Sequence, residues 1–133
     1  MDPFKTPGAF SWCELSTSDP KAAAAFYGEV FGWKISEMGA EMGGYRVVAI
    51  GGSPDGQGAV GGITAFPPGA PPMPPHWGSY VTVAQVEPVL ARCAELGGKT
   101  LVPAMDIPGV GRMAVMQDPQ GAVLSIIAYA MPA

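Results

Sequence analysis

Apolar and polar residues alternate over several short stretches of this chain, which is the pattern of a half-buried β-strand. In Phe10–Leu15 the alternation puts Trp12 and Glu14 on one face of the predicted strand and Cys13 on the other. A turn with proline and glycine at Asp118–Gly121 predicts a hairpin near the end of the chain. The remaining predicted strands are, in chain order, Trp33–Met38, Tyr45–Ile50, Ala59–Phe66, Gly78–Val83, Lys99–Pro103, Arg112–Met116 and Ala122–Ile127.

Two longer stretches carry apolar residues at helical spacing and predict the helices Lys21–Phe31 and Val86–Leu96. Asp19 can cap the first helix, and Pro20 suits its first helical position. A glycine comes after each stretch and is typical of a helix end. The predicted order of elements is therefore β-α-β-β-β, twice over.

The second half of the chain repeats the first. A shift of 65 residues places Trp12 on Trp77 and Gly32 on Gly97. Between the halves, residues 67–75 hold six prolines in nine positions, which favours a stiff extended connector. The repeat predicts one α+β domain over residues 1–133, made of two βαβββ modules at about 8–66 and 76–130 and joined by this linker.

The amino-acid composition of the chain limits the kinds of partner that we expect it to bind. Of the 133 residues, 48% are hydrophobic and 14% charged, and the net charge is −4. The seven basic residues are scattered, so no basic stripe indicates a nucleic-acid partner. The apolar runs are shorter than the roughly 20 residues of a membrane span, and no secretory signal is visible. We therefore expect a cytoplasmic protein without a nucleic-acid or membrane partner.

Several short motifs resemble the vicinal oxygen chelate superfamily, which includes glyoxalase I, bleomycin-resistance proteins and extradiol dioxygenases. The motifs of its first module are similar to Trp12-Cys13-Glu14-Leu15, Asp19-Pro20, Phe26-Tyr27 and Phe31-Gly32-Trp33. Those of its second module are similar to His76-Trp77 with Tyr80, Gly97-Gly98 and Asp118-Pro119-Gln120-Gly121. The resemblance implies two βαβββ modules whose sheets curl around a concave cavity for a small molecule, and it implies a homodimer.

The resemblance also allows a test for the family's divalent metal. Its enzymes take ligands from the first and last strands of each module, and the ligands are His, Glu or Gln. The matching positions of this chain fall on Trp12, near Gly78, on Gly61 or Ile63, and on Ser125. None of these residues is such a donor, and only Glu14 and His76 lie near the expected places. The resemblance thus implies a degenerate metal site with no cofactor, and a divalent metal on an atypical site is the alternative.

Glu14 is the candidate catalytic residue, because a carboxylate in an apolar cleft can act as a general base or anchor a substrate. The alternative is a purely structural carboxylate that pairs with Arg46 or Arg112 or accepts hydrogen bonds from the backbone. The single histidine, His76, is expected to be a solvated strand-edge residue rather than a base or ligand. Cys13 is expected to be a small buried thiol facing the helix rather than a nucleophile.

Large aromatic residues on the first strand of each module predict an aromatic-lined cavity for a small organic ligand, with packing between the modules as the alternative. The predicted substrate-binding residues are Trp12, Glu14, His76, Trp77, Tyr80 and Ser125.

Three functions are compatible with this set. The first is binding of a small, partly apolar molecule without a metal. The second is a metal-dependent enzyme with an atypical site, namely a glyoxalase-like lyase, an isomerase or a dioxygenase. The third is a resistance protein that sequesters a drug.

Overall fold

The computed structural model describes residues 1–38, 44–50, 58–66, 73–107 and 109–130. The predicted α+β class is confirmed, because the described chain forms two α-helices and eight strands. Most of the predicted linker, residues 67–72, lies outside the described residues. After a short 3₁₀ helix at Pro3–Lys5, the elements are β1 Phe10–Thr17, α1 Pro20–Phe31, β2 Lys34–Glu37, β3 Arg46–Ala49, β4 Ala59–Ala65, β5 His76–Thr82, α2 Val86–Glu95, β6 Lys99–Ile107, β7 Gly111–Gln117 and β8 Val123–Tyr129.

The chain divides into two compact units. One comprises Trp12–Trp77 and is called the central unit here. The other combines Met1–Ser11 with Gly78–Ala133 and is called the split unit. In each unit the first long strand pairs in parallel with the last one, and the remaining pairs are antiparallel.

In the central unit, the strands pair in the order β2-β3-β4-β1. Helix α1 begins as the sequence predicts, because the Asp19 carboxylate accepts a hydrogen bond from the Ala22 amide at 3.0 Å. The helix ends at Gly32, whose φ of 72° is in the left-handed region. Ala23, Ala24 and Tyr27 of α1 pack, with Trp33 and Ile35, against the buried side chains of Leu15, Val48 and Ile63.

In the split unit, the strands pair in the order β6-β7-β8-β5, and α2 packs on them around Val86, Ala114 and Ile126. The N-terminal segment belongs to this unit because a hydrogen bond and an aromatic contact attach it there. The Thr82 hydroxyl donates to the Pro3 carbonyl at 2.7 Å, and the Phe4 ring meets the Tyr129 ring edge-on at 5.1 Å.

Strand β6 is longer than the sequence predicts. The expected end at Pro103 is wrong, since the strand continues to Ile107. Its pairing with β7 shifts register on both sides of Val102, between Thr100 and Met105. Such irregularities accommodate Pro103, which has no amide hydrogen to donate to the neighbouring strand. The predicted hairpin turn does form, with the Asp118 carboxylate accepting from the Gln120 and Ala122 amides at 2.9 Å each.

An ion triad joins three elements of the split unit. Arg112 on β7 donates to Glu87 in the first turn of α2, and to Asp106 on β6 at 2.9 Å. The hydrogen bond from Arg112 lowers the pKa of the Glu87 carboxyl below its ordinary value. The three side chains are exposed, so solvent and salt screen the attraction and its effect on stability is small.

The contribution of the Arg112–Glu87 pair to stability, and its dependence on pH, can be tested with Arg112→Met. Because the pKa of Glu87 is lower in the folded than in the unfolded chain, the pair stabilises the fold above the unfolded pKa. That contribution is lost as pH falls through the folded pKa. We expect the variant to melt slightly below the wild type near pH 7, and by a smaller margin at acid pH, as the pH falls through the lowered pKa of Glu87. Thermal melts at both pH values measure this, with Glu87→Gln as the matched control. An unchanged difference at low pH would contradict it.

Candidate functional site

A chain of hydrogen bonds links three side chains on one face of the central unit. The indole N–H of Trp12 donates to the Tyr45 hydroxyl oxygen at 2.9 Å. The Tyr45 hydroxyl in turn donates to Oε2 of Glu14 at 2.7 Å. All three side chains are half-buried. Trp12 and Glu14 therefore share one face of β1, as the alternation predicted, and Tyr45 connects them.

A glycine makes this connection possible. Tyr45 precedes β3, Glu14 lies on β1, and β4 runs between those two strands. The β4 residue in register with Glu14 is Gly62, which is also in register with Val47 of β3. A Cβ atom at Gly62 would overlap the Tyr45 ring. The missing side chain at Gly62 thus lets the tyrosine reach across a whole strand to the carboxylate.

The two arginines that the sequence offered as partners of Glu14 are engaged elsewhere. Arg46 pairs with Glu37 at 3.5 Å and donates to the Gly44 carbonyl at 3.3 Å. Arg112 pairs with Glu87 and Asp106 in the split unit. Both arginines thus have other carboxylate partners, and the Tyr45 hydroxyl is a hydrogen-bond partner of Glu14.

The opposite face of β1, on the side of helix α1, carries an open apolar groove of about 320 Å³. Its lining is Cys13, Trp33, Val48, Val60, Gly61 and Trp77. Cys13 does lie on the helix side, yet the expectation of a buried thiol is wrong, because Cys13 is exposed. Helix α1 packs against Leu15, two residues farther along the strand, and leaves Cys13 uncovered.

Trp77 lines the groove and does not share a face of the sheet with Trp12. Its indole N–H donates to the Tyr27 hydroxyl at 3.2 Å, and its ring meets Trp33 nearly at right angles, 6.0 Å away. Because Tyr27 belongs to α1, Trp77 lies on the helix side of the central unit. The repeat therefore aligned two tryptophans that have different surroundings in the structure.

The other predicted site residues are distributed over both units. His76 of the central unit is half-buried, and its Nδ1 is 2.9 Å from the Pro74 carbonyl oxygen. The carbonyl can only accept, so this nitrogen carries the proton. In the split unit, Tyr80 is buried and lies in register with the half-buried Ser125 on the neighbouring strand.

The described residues do not fit the family's metal. Within residues 1–38, 44–50, 58–66, 73–107 and 109–130, no three His, Cys, Asp or Glu side chains come close enough together to share an ion. Trp12 occupies the first expected position, and its indole nitrogen is only a donor. We therefore derive no chemical step through a metal.

A comparison of the sequence with models of known protein families shows which family this chain belongs to. The model of the Glyoxalase/Bleomycin resistance protein/Dioxygenase superfamily matches residues 9–126. This chain belongs to that superfamily. The family that the motifs suggested is thereby confirmed.

Two named relatives are about twice as long as this chain. CFP32 of Mycobacterium tuberculosis, which carries a glyoxylase name, is 37% identical over 122 residues. The match covers 90% of this chain and 45% of the relative. DnrV of Streptomyces peucetius, named as an anthracycline biosynthesis protein, is 33% identical over 130 residues, with 90% and 46% covered. The chain thus spans about half the length of these relatives.

Solved structures support the same fold. Methylmalonyl-CoA epimerase from Mycobacterium tuberculosis superposes with a TM-score of 0.63 at 13% identity, over 96% of this chain and 92% of the other. The Streptomyces coelicolor epimerase, solved with 2-nitronate-propionyl-CoA, gives 0.63 at 15% identity, over 95% and 100%. At such low identity the likeness concerns the fold alone. Neither helix of the part described is long and apolar enough to cross a membrane.

Sequence reasoning missed Tyr45 and Gly62. Both stood inside predicted strands, Tyr45 at the start of one and Gly62 in the middle of another. A glycine in a strand interior often marks a close approach by another group, and this was the available signal. The group that approaches could not be named without the pairing of β3, β4 and β1.

A double-mutant cycle tests the contact between Gly62 and Tyr45. We expect Gly62→Ala to destabilise the fold by about 1–3 kcal/mol, because the new methyl group displaces the tyrosine ring. In a Tyr45→Ala background the same change should cost far less. Gly28→Ala is the matched control. Its Cβ would meet only the Trp33 carbonyl at 3.7 Å, so it should be neutral or stabilise α1 by up to about 1 kcal/mol. Urea unfolding measures all four variants, and an equal cost in both backgrounds would refute the contact.

Proposed function

We propose that this protein binds a small, partly apolar molecule on the face formed by Trp12, Tyr45 and Glu14, without metal catalysis. The observation that carries the proposal is the hydrogen-bond chain from Trp12 through Tyr45 to Glu14. It places an oriented carboxylate beside two large aromatic side chains. Sites for small molecules commonly combine such apolar walls with a few fixed polar groups.

Each member of the chain has a distinct part. The Tyr45 hydroxyl donates to Glu14 and so fixes the orientation of the carboxylate. The Trp12 N–H donates to the same hydroxyl oxygen and polarises it toward Glu14. A carboxylate is an acceptor, and each oxygen has more than one lone pair. Glu14 would therefore accept a hydrogen bond from an N–H, O–H or ammonium group of the ligand, while the rings contact its apolar part.

The wider architecture belongs to the same proposal. Each unit has the element order and strand pairing expected of one βαβββ module, which supports the proposal of two modules. Tyr80 and Ser125 of the split unit remain predicted binding residues. His76 remains a predicted binding residue, whereas Trp77 lies on the helix side of the central unit and is not part of the proposed site. A cytoplasmic location and a homodimer remain predictions.

The names of the relatives guide the choice of ligands. The Streptomyces peucetius relative is named for anthracycline biosynthesis, and anthracyclines are flat polycyclic aromatic compounds. Flat aromatic compounds with an amino or hydroxyl substituent would satisfy both the rings and the carboxylate. They therefore form the core of the ligand panel, and small oxo-acids serve as a chemically different set.

The binding proposal can be tested by thermal shift and calorimetry with this panel. A ligand at 100 times its Kd should add about 2.7 kcal/mol of stability. We expect Glu14→Gln to weaken binding by about tenfold or more, since a hydrogen bond to a charged group contributes roughly 1.5–3 kcal/mol. The control is Glu29→Gln on the exposed surface of α1, which should bind normally. Binding that is indifferent to Glu14→Gln and Trp12→Ala would overturn the assignment of the site.

A metal measurement separates the binder from the metal-dependent enzyme. We expect protein purified without chelator to hold far less than one equivalent of divalent metal by elemental analysis. Added Zn²⁺, Mn²⁺ or Ni²⁺ should bind equally weakly to the wild type and to Glu14→Ala. One equivalent of metal that disappears in Glu14→Ala would contradict the proposal and support a lyase, isomerase or dioxygenase with an atypical site.

A further inference from the structure

Most of the chain's negative charge belongs to the central unit. Residues 12–77 contain six acidic residues and three lysines or arginines, so with His76 neutral they carry −3 of the net charge of −4. The parts of this range that lie outside the described residues contain no lysine, arginine or histidine. The three bases of the unit, Lys21, Lys34 and Arg46, can therefore all be placed in the fold.

Two of these bases belong to the side of the sheet that does not carry Glu14. Lys21 is in the first turn of α1, and α1 packs against Leu15 on the face opposite Glu14. Arg46 is in register with Ile63, which belongs to the same buried cluster under α1. Since side chains alternate along a strand and those in register share a face, Arg46 and Glu14 lie on opposite faces.

The third base, Lys34, shares the face of Glu14 but lies at its far edge. Its neighbour Ile35 packs under α1, so Lys34 points to the other side, where its side chain is exposed. Strand β2 is separated from β1 by β3 and β4, which corresponds to roughly 14 Å between the two strands at the usual spacing. That distance exceeds the Debye length of about 8 Å at physiological ionic strength, so salt screens the lysine from the carboxylate. The surroundings of Glu14 are therefore negative.

The two rings beside Glu14 are of the types that attract cations best. A cation is drawn to the negative face of an aromatic ring, and indole is the strongest of the natural side chains in this respect. Trp12 and Tyr45 supply an indole and a phenol, and the hydrogen bond between them at 2.9 Å orients both rings. The Tyr45 hydroxyl, which donates to Glu14 at 2.7 Å, is a neutral donor. The carboxylate and both rings thus favour a ligand with a positive charge.

We propose, on the basis of the function proposed above, that the ligand of this face is a protonated organic amine. Its ammonium group would pair with Glu14, while its apolar body lies against Trp12 and Tyr45. Pairing two opposite charges adds an attraction that a neutral hydroxyl group cannot provide. The negative charge of the unit also steers cations toward the face.

The same charges disfavour the other classes of ligand. Small oxo-acids are anions near neutral pH, and a negative unit with an oriented carboxylate repels them. Neutral alcohols can donate to Glu14 but do not gain the attraction between charges. A bare metal ion would need several anionic or imidazole donors, and no three of them meet within the residues that the structure describes.

Calorimetry with three indoles that share one aromatic body tests the proposal. Tryptamine is an amine, tryptophol is the corresponding alcohol, and indole-3-propionate is an anion of similar length. We expect tryptamine to bind at least about tenfold more tightly than tryptophol, and indole-3-propionate to bind more weakly than either. Raising the salt concentration from about 20 to about 500 mM should weaken the binding of tryptamine and leave that of tryptophol nearly unchanged.

Two variants that each remove one negative charge separate the site from the overall charge of the unit. In Glu14→Gln, the preference for tryptamine over tryptophol should fall below about threefold. Glu29→Gln is the matched control, because Glu29 lies on the exposed surface of α1, and the preference should stay at about tenfold. Circular dichroism checks that both variants fold, and the comparison of the three indoles on the wild type does not depend on either variant.

The outcomes distinguish this proposal from the broader one. Tryptophol that binds as tightly as tryptamine would overturn the amine and leave the binding face in place. So would a preference for tryptamine that survives Glu14→Gln, or neutral compounds of the flat aromatic panel that bind while tryptamine does not. A protein that binds neither the indoles nor any compound of the panel would overturn both proposals.

Discussion

The hydroxyl of Tyr45 is the contact on which the candidate site depends. It accepts a hydrogen bond from Trp12 and donates one to Glu14, so the residue that precedes β3 orients two side chains of β1. The contact exists because Gly62 has no side chain where the tyrosine ring lies. Three neighbouring strands therefore cooperate in orienting one carboxylate, and the orientation results from backbone pairing rather than from flexible surface groups.

The two faces of the central unit offer different chemistry because side chains alternate along a strand. Trp12 and Glu14 of β1 point to one face, where polar atoms are joined in a chain. Cys13 points to the other, where α1 covers Leu15 and leaves an apolar groove uncovered. A directional carboxylate suits recognition of a small molecule.

The superfamily hosts many activities on one fold, so membership does not by itself assign a reaction. The relatives carry glyoxylase and anthracycline-biosynthesis names, and the structural neighbours include methylmalonyl-CoA epimerases. The proposal of a site without a metal rests on the donors among the described residues. Trp12 and Ser125 stand at positions where the family's motif implies metal ligands, and Glu14 is held by a tyrosine. The site's own chemistry therefore supports binding more directly than metal catalysis.

The sequence by itself determined the α+β class, the order of the elements, the cap at Asp19, the turn at Asp118 and the family. These depend on local signals, namely periodicity, capping residues and turn chemistry, which act over a few residues. It also placed Trp12 and Glu14 on one face, because alternation is local. Only the tertiary structure decided that Tyr45 reaches Glu14 across Gly62, that Trp77 joins Tyr27 and Trp33, and that Cys13 is exposed. Those outcomes depend on strand order and register and on the length of β1 that α1 covers, which no local pattern encodes.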